Sequence, residues 1–289
     1  MNQEKTNIKT EALKSYSSAF SRTVFSDIIK YQDFSHLDWL ISYYDHPVKA
    51  ANYNDYIKQI YKLLLKDYRC EYVYKNELLK YLLAKYGTKE TVAFNEYKVG
   101  DSIVDIAFFN GESKAFEIKS DLDSPKRLKK QVESYSIIFD KCYVVIPENK
   151  CEEYLSIVDE KTGILLLAQK GKRLFFEEYK TAIKQEEFDS DIFIRCLRTY
   201  EYESVITQEF GELPLVPSYR MFDACKELFR SIPQERLRTY FVEQMKKRKS
   251  NMQTIKSMPS YLKQIGLSMN LNNNSSCSLL QYLNNLIIS

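Results

Sequence analysis

The stretch SIVDIAFFNGESKAFEIKSDLDSPKRLKKQVESY, residues 102–135, decides the fold. Ile103 to Phe109 is an apolar run of strand length, β-branched and aromatic in character, and Asn110-Gly111 is a strong turn dipeptide. Lys114 to Lys119 reads as the returning strand. Side chains alternate faces along a strand, so Glu117 and Lys119 project together while Phe116 and Ile118 point the other way into a core. The length of the turn then decides whether Asp105 meets Glu117. A two-residue loop at Asn110-Gly111 pairs Asp105 with Phe116 and leaves the two carboxylates on opposite faces. A three-residue loop, Asn110 to Glu112, pairs Asp105 with Glu117 and Ile103 with Lys119. The longer loop, with Gly111 in the left-handed region, is the expectation.

Two carboxylates facing each other at close range repel and raise one another's pKa unless a cation sits between them. Hard oxygen ligands of this kind suit Mg²⁺ or Mn²⁺, which are typically held by one or two carboxylates together with water and substrate phosphate. Such a cation lowers the pKa of bound water and neutralises charge on a phosphodiester during in-line attack. Lys119, one pleat period from Glu117, can then orient the attacking water or stabilise the pentacovalent transition state. Taken alone, Glu-Xaa-Lys is also the pattern of a solvated strand with an ordinary Glu/Lys ladder, and only the flanking residues separate the two readings.

Ser124 followed by Pro125 reads as an N-cap with proline at the first helical position, which predicts a helix to about Phe139. Arg127, Gln131 and Tyr135 are spaced by four and line one face of it, with polar tips able to reach the strand ends. Leu128, Val132, Tyr135 and Phe139 also make an apolar stripe, in which Tyr135 is a packing residue. Lys126, Arg127, Lys129 and Lys130 are either a solvated face or a set of phosphate contacts.

Together, Asp105, Glu117-Ile118-Lys119, Gln131 and Tyr135 resemble the PD-(D/E)XK nuclease superfamily, particularly its branch with a Gln-Xaa3-Tyr helix after the catalytic strands. The longer string EIKSDLDSPKRLKKQVESYSIIFDKCYVVIP is similar to a bacterial family of predicted nucleases first named from a myxobacterial locus. Its signature is Glu-Ile-Lys-Ser-Asp-Xaa-Asp followed by Arg-Leu, Gln and Tyr, and the similarity covers roughly residues 70–170. The resemblance implies a restriction-endonuclease-like core, an α/β fold with a mixed sheet flanked by helices. It also implies Asp105 and Glu117 as metal ligands, Lys119 as the catalytic lysine, and Gln131 and Tyr135 as helix-borne supports. Where many members carry an arginine two residues before the aspartate, this chain has Ile103. The superfamily often adds a glutamate from the helix preceding the sheet; Glu77, in NELLKYLLAKY, is the residue that fits, with Glu96 on the preceding strand in reserve. Asn76 also reads as an N-cap, and Glu77 would then simply complement the helix dipole in the first turn.

Further strands are expected at Thr91 to Lys98, Lys141 to Ile146, Gly163 to Ala168 and Arg173 to Glu177, which completes a mixed sheet. The chain of 289 residues thus divides into an N-terminal helical extension (1–70), a nuclease-like core (71–180) and a C-terminal helical region (181–289). Asn272 to Ser276 reads as a loop before a final helix. Net charge is only +3, but Arg230 to Lys263 holds nine basic residues against two acidic ones, so the rest of the chain is net negative. Phosphate attraction would concentrate there, at Lys246, Lys247, Arg248 and Lys249, and on the helix after Glu117, at Arg127 and Lys130.

The six cysteines show no paired metal-ligand spacing, and the two histidines, His36 and His46, are too few for a zinc site. With no signal peptide and no apolar run of membrane length, the expectation is a cytoplasmic protein with free thiols and no membrane partner. These readings converge on a Mg²⁺-dependent nuclease acting on DNA, with RNA the other substrate its chemistry allows, in defence against or processing of foreign DNA. Two other classes stand beside it: a catalytically silent nucleic-acid-binding module, and a subunit that acts only in an oligomer or with a protein partner.

Overall fold

The computed structural model describes residues 2–44, 50–171, 173–248 and 250–287, with side chains from residue 10 onward. Its contacts gather into two compact units, one built from residues 88–119 and 123–250, the other from residues 1–87, 120–122 and 251–289.

The first of these units is a mixed α/β structure. Six strands, β1 (Val92–Val99), β2 (Ser102–Asn110), β3 (Glu112–Ile118), β4 (Lys141–Pro147), β5 (Gly163–Lys170) and β6 (Arg173–Lys180), lie in sequence order in a single sheet. The β3–β4 and β4–β5 pairs are parallel and the others antiparallel. All six expected strands are present, within a few residues of their expected ends. The β2–β3 register runs from Ile106 opposite Phe116 to Asn110 opposite Glu112, with Gly111 at the tip at φ +72°. Continued by one residue, that register sets Asp105 opposite Glu117, as the longer loop requires.

Numbering all helices along the chain, this unit holds α6 (Leu128–Ser136), α7 (Cys151–Leu155), α8 (Ser190–Cys196), α9 (Thr199–Phe210), α10 (Ser218–Ser231) and α11 (Gln234–Lys247). The Ser124-Pro125 signal holds: Ser124 Oγ accepts from the Lys126 amide, and a short 3-10 turn over Pro125–Arg127 leads into α6. Leu128, Val132 and Tyr135 then bury one face of α6 over the sheet. Phe241 of α11 joins the same core, its ring 5.0 Å from Phe109 and 5.2 Å from Phe193, edge-on in both cases. Central strand β3 is consequently buried from Ser113 to its end: Phe116 is 2%, Glu117 3% and Ile118 3% exposed. A solvated Glu/Lys ladder is therefore not what Glu-Xaa-Lys forms here, because the strand has no solvated face.

The second unit is helical, with α1 (Asn2–Ser18), α2 (Arg22–Tyr31), α3 (Ser35–Tyr43), α4 (Tyr53–Asp67) and α5 (Glu71–Tyr86), then α12 (Met252–Ser257), α13 (Lys263–Ser268) and α14 (Asn273–Leu283). Its core joins Phe25, Leu37, Ile60 and Leu64 to Leu262 and Leu279.

The units are thus not three successive segments as the sequence led us to expect. Helix α5 and residues beyond 250 share one core, whereas α8 to α11 belong with the sheet. Asn76 shows why. It lies inside α5, wholly buried, donating to Tyr61 Oη (2.7 Å) and the Ser260 carbonyl (2.8 Å) and accepting from the Gln264 amide (3.1 Å). Its amide is saturated by tertiary partners, so it is no N-cap, and Glu77 is not in a first turn. A second correction concerns Asn272, which caps α14 by accepting from the Ser275 amide; Asn273 to Ser276 are helix and not loop.

Candidate functional site

The β2–β3 ladder ends at Ile106 and Phe116, and beyond that point the strands stop exchanging main-chain bonds. A buried amide left over by such a split needs another acceptor. Asp105 supplies it: its Oδ2 accepts from the Ile118 amide at 2.8 Å. The aspartate therefore closes the split in the sheet and is anchored beside Glu117 by the same bond.

Three residues converge on the Glu117 carboxylate and its neighbour. Lys119 Nζ donates to Glu117 Oε1 and to Gln131 Oε1, both at 2.9 Å. Tyr135 Oη donates to the Ile103 carbonyl at 2.5 Å and lies 3.0 Å from Glu117 Oε2. The spacing of four between Gln131 and Tyr135 brings both tips over the strand end, while Arg127, one turn earlier, stays exposed. Burial pushes the Glu117 carboxyl up to about 7, the negative charge of Asp105 adds to the rise, and Lys119 and Tyr135 offset part of it. Burial and the adjacent Glu117 hold the Tyr135 phenol protonated well above its ordinary range. Tyr135 is thus both a packing residue, 1% exposed in the α6 stripe, and a polar strut between β2 and Glu117.

Ile103 acts through its carbonyl, a contact no side-chain pattern announces; its side chain is 55% exposed. Glu96 occupies the place across β1 from Asp105, between the pairs Asn95–Ile106 and Tyr97–Val104, where the ladder is interrupted. It is exposed and has φ +53°, a conformation that costs a non-glycine residue about 1–2 kcal/mol. Glu77 does not join this group. It lies in the helical unit, where Tyr61 Oη donates to it at 2.6 Å and Lys80 Nζ pairs with it at 2.7 Å. Among the described residues no group of three or more His, Cys, Asp or Glu side chains gathers as metal ligands. Two carboxylates whose mutual repulsion Lys119 offsets only in part fit a hard cation that keeps most of its waters, as Mg²⁺ does, and do not fit zinc.

Of the basic residues expected to meet phosphate, Lys126, Arg127, Lys129 and Lys130 are all exposed at the start of α6. Arg248 is committed elsewhere. Its guanidinium pairs bidentately with Glu201 (2.7 Å at both contacts), donates to the Cys196 carbonyl, and lies over the Phe94 and Tyr97 rings. Lys246 pairs with Glu90 at 2.9 Å, Lys247 is exposed, and Lys249 and His46 lie outside the described residues. The run at 246–249 is therefore not a uniform docking face, and Arg248 is withdrawn from it. Arg248→Ala is expected to lower the unfolding free energy by about 2 kcal/mol, because Glu201 would be left buried without its partner. Lys247→Ala should change it by less than about 0.5 kcal/mol. Urea denaturation of both variants checks this; equal, small effects would return Arg248 to the surface.

A family model described as bacteriophage P4 protein cII matches residues 65–270, most of the chain and all of the Asp105–Tyr135 group. The chain belongs to the bacteriophage P4 cII family. Protein cII of Enterobacteria phage P4 is 25% identical over 136 residues, covering 46% of this chain and 52% of that relative. The chain thus spans about half the length of the curated P4 relative it matches. A Silicibacter pomeroyi protein of unknown function overlays 48% of this chain and 90% of its own length at 14% identity, with a TM-score of 0.33. That likeness carries no structural argument, and the cII family name specifies no chemistry. No helix among the described residues is long and apolar enough to cross a membrane.

Proposed function

We propose that this protein is a metal-dependent nuclease that hydrolyses phosphodiester bonds in DNA at the Asp105–Glu117–Lys119 group. The observation that carries the reading is the ammonium of Lys119, held between Glu117 Oε1 and Gln131 Oε1 where the buried Glu117 carboxylate meets the half-buried Asp105. A surface ion pair needs no such helix-borne second acceptor, and a core has no use for two repelling carboxylates. Bound Mg²⁺ or Mn²⁺ would supply Lewis-acid stabilisation of the phosphate and a more acidic water. Asp105 and Glu117 would hold it. Gln131 fixes the direction of the Lys119 ammonium, which donates to the attacking water or to a non-bridging phosphate oxygen as charge builds there. Tyr135 pins Glu117 to β2 and so holds the site's geometry.

The role we attach to this activity is defence against, or processing of, foreign DNA, a setting to which a relative from a phage belongs. The test is incubation of the purified chain with duplex and single-stranded DNA and with RNA, in Mg²⁺, in Mn²⁺ and in EDTA. Metal-dependent cleavage by the wild type, absent from Asp105→Asn, is the expected result. Binding without cleavage under every metal would instead favour a silent nucleic-acid-binding module.

The exposed quartet at the start of α6 is the docking surface this site calls for. Replacing Lys126, Arg127, Lys129 and Lys130 by alanine should weaken DNA binding by a similar factor for all sequences. It should also flatten the salt dependence, by about 0.9 in log-log slope for each duplex phosphate that is no longer neutralised. Binding isotherms in rising salt measure this, and an unchanged slope would show a merely solvated face.

A further inference from the structure

Strand β6 reads Arg-Leu-Phe-Phe-Glu-Glu-Tyr-Lys over residues 173–180 and, among the described residues, ends the sheet, paired within it to β5. Its residues alternate strictly between exposed and half-buried, with Arg173, Phe175, Glu177 and Tyr179 on the exposed side. Phe175 is 37% and Tyr179 49% exposed. Soluble proteins blunt an edge of this kind with charged side chains, which β6 carries, and commonly also interrupt it with a bulge or a proline. Between Arg173 and Glu177 there is neither; the register irregularity lies further along, opposite Ile164 and Leu165.

The hairpin dictates which main-chain groups face the open edge. Lys170 pairs with Arg173 with two residues between them in sequence, which makes 170/173, 168/175 and 166/177 the pairs that exchange both hydrogen bonds. The N–H and C=O groups of Leu174 and Phe176 are therefore directed away from β5.

We propose that β6 pairs antiparallel with β6 of a second copy of this chain, joining two six-stranded sheets across a twofold axis at Phe175. Outward-facing residues must meet outward-facing residues, so the possible registers are centred on Leu174, Phe175, Phe176 or Glu177. Centred on Glu177, the pairing sets that carboxylate against its own copy, and like charges directly opposite are unfavourable. Centring on Phe176 puts Glu177 against Phe175 and leaves Arg173 facing Tyr179. With Leu174 at the centre, Glu177 meets Gly171.

Only the register centred on Phe175 sets Arg173 opposite Glu177 of the second copy, and does so on both sides of the axis. The same register stacks Phe175 on Phe175 and pairs Leu174 with Phe176, with about four main-chain hydrogen bonds across the axis. The charge pattern of β6 thus favours one self-complementary register, opposes the one centred on Glu177 and leaves the other two without an Arg173–Glu177 pair. This pairing is independent of the chemistry proposed for Asp105 and Glu117.

Sedimentation equilibrium of the full chain over a wide concentration series tests it. A reversible dimer is expected. Arg173→Glu and Glu177→Arg should each weaken it by about tenfold or more, and the double variant, with the charges exchanged, should restore it. Circular dichroism melting of each variant checks that the fold is kept. An independent arm uses Phe175→Cys in a Cys277→Ser background, which removes the exposed native thiol. Residues facing each other at a non-hydrogen-bonded position have Cβ atoms about 4.5–5.5 Å apart, so mild oxidation should link Phe175→Cys chains and leave Tyr179→Cys chains unlinked. The proposal is overturned by a wild type that stays monomeric throughout, by a dimer indifferent to the single reversals, or by equal cross-linking at 175 and 179.

Discussion

Glu117→Gln is expected to lower metal-dependent cleavage by a factor on the order of a thousand, equivalent to about 4 kcal/mol of barrier, while the protein still folds. Glutamine keeps the shape of the side chain, and its amide can still meet Lys119 or Tyr135 through one oxygen. What it loses is the second negative charge facing Asp105, and with it the reason for a divalent cation to bind. Lys119→Ala should cost about a hundredfold to a thousandfold by a different route, removing a donor from the developing charge without removing a ligand. The two variants should separate in metal titrations. Rising Mn²⁺ should partly recover Glu117→Gln, whose defect includes affinity, and should not recover Lys119→Ala. Undiminished cleavage by purified Glu117→Gln would remove the proposed site altogether.

Much of this site was legible because its geometry is local. One turn length sets Asp105 against Glu117, one pleat period sets Lys119 beside Glu117, and one helical turn sets Gln131 beside Tyr135. Each is a fixed periodicity of the backbone, readable without knowing what packs where. The misreadings share the opposite property. Asn76 looks like a cap until Ser260 and Gln264, far along the chain, take up its amide. Arg248 belongs to a basic run until Glu201 claims it from α9, and a charge count cannot see an ion pair across that separation. The positive φ of Glu96 has no residue signature at all, since glutamate is not a left-handed former. Burial of β3 on both faces follows from its central place in the sheet, and that place depends on strands not yet in view when the hairpin alone is read.

Stability should fall as the pH rises from about 4.5 to about 7, and Glu117→Gln should abolish that part of the fall. The ordinary glutamate value is 4.5, and burial together with Asp105 raises Glu117 to about 7 in the folded protein. Between those values the unfolded chain has released the proton and the folded one retains it, so each increment of pH favours unfolding. The contribution is fully present below the unfolded value, declines across the window and is gone above the folded one, the reverse of a carboxylate whose pKa folding lowers. A shift of this size corresponds to about 3 kcal/mol across the window. A cation bound between Asp105 and Glu117 would replace the proton, so Mg²⁺ at about a hundred times its Kd should restore close to 3 kcal/mol at pH 7.5 and little at pH 5. Other groups titrate over the same range. The informative quantity is therefore the difference in unfolding free energy between wild type and Glu117→Gln, measured by urea denaturation at several pH values with and without Mg²⁺. A difference independent of pH would mean that Glu117 ionises normally in the folded protein. The repulsion from Asp105, on which the cation's affinity depends, would then be absent.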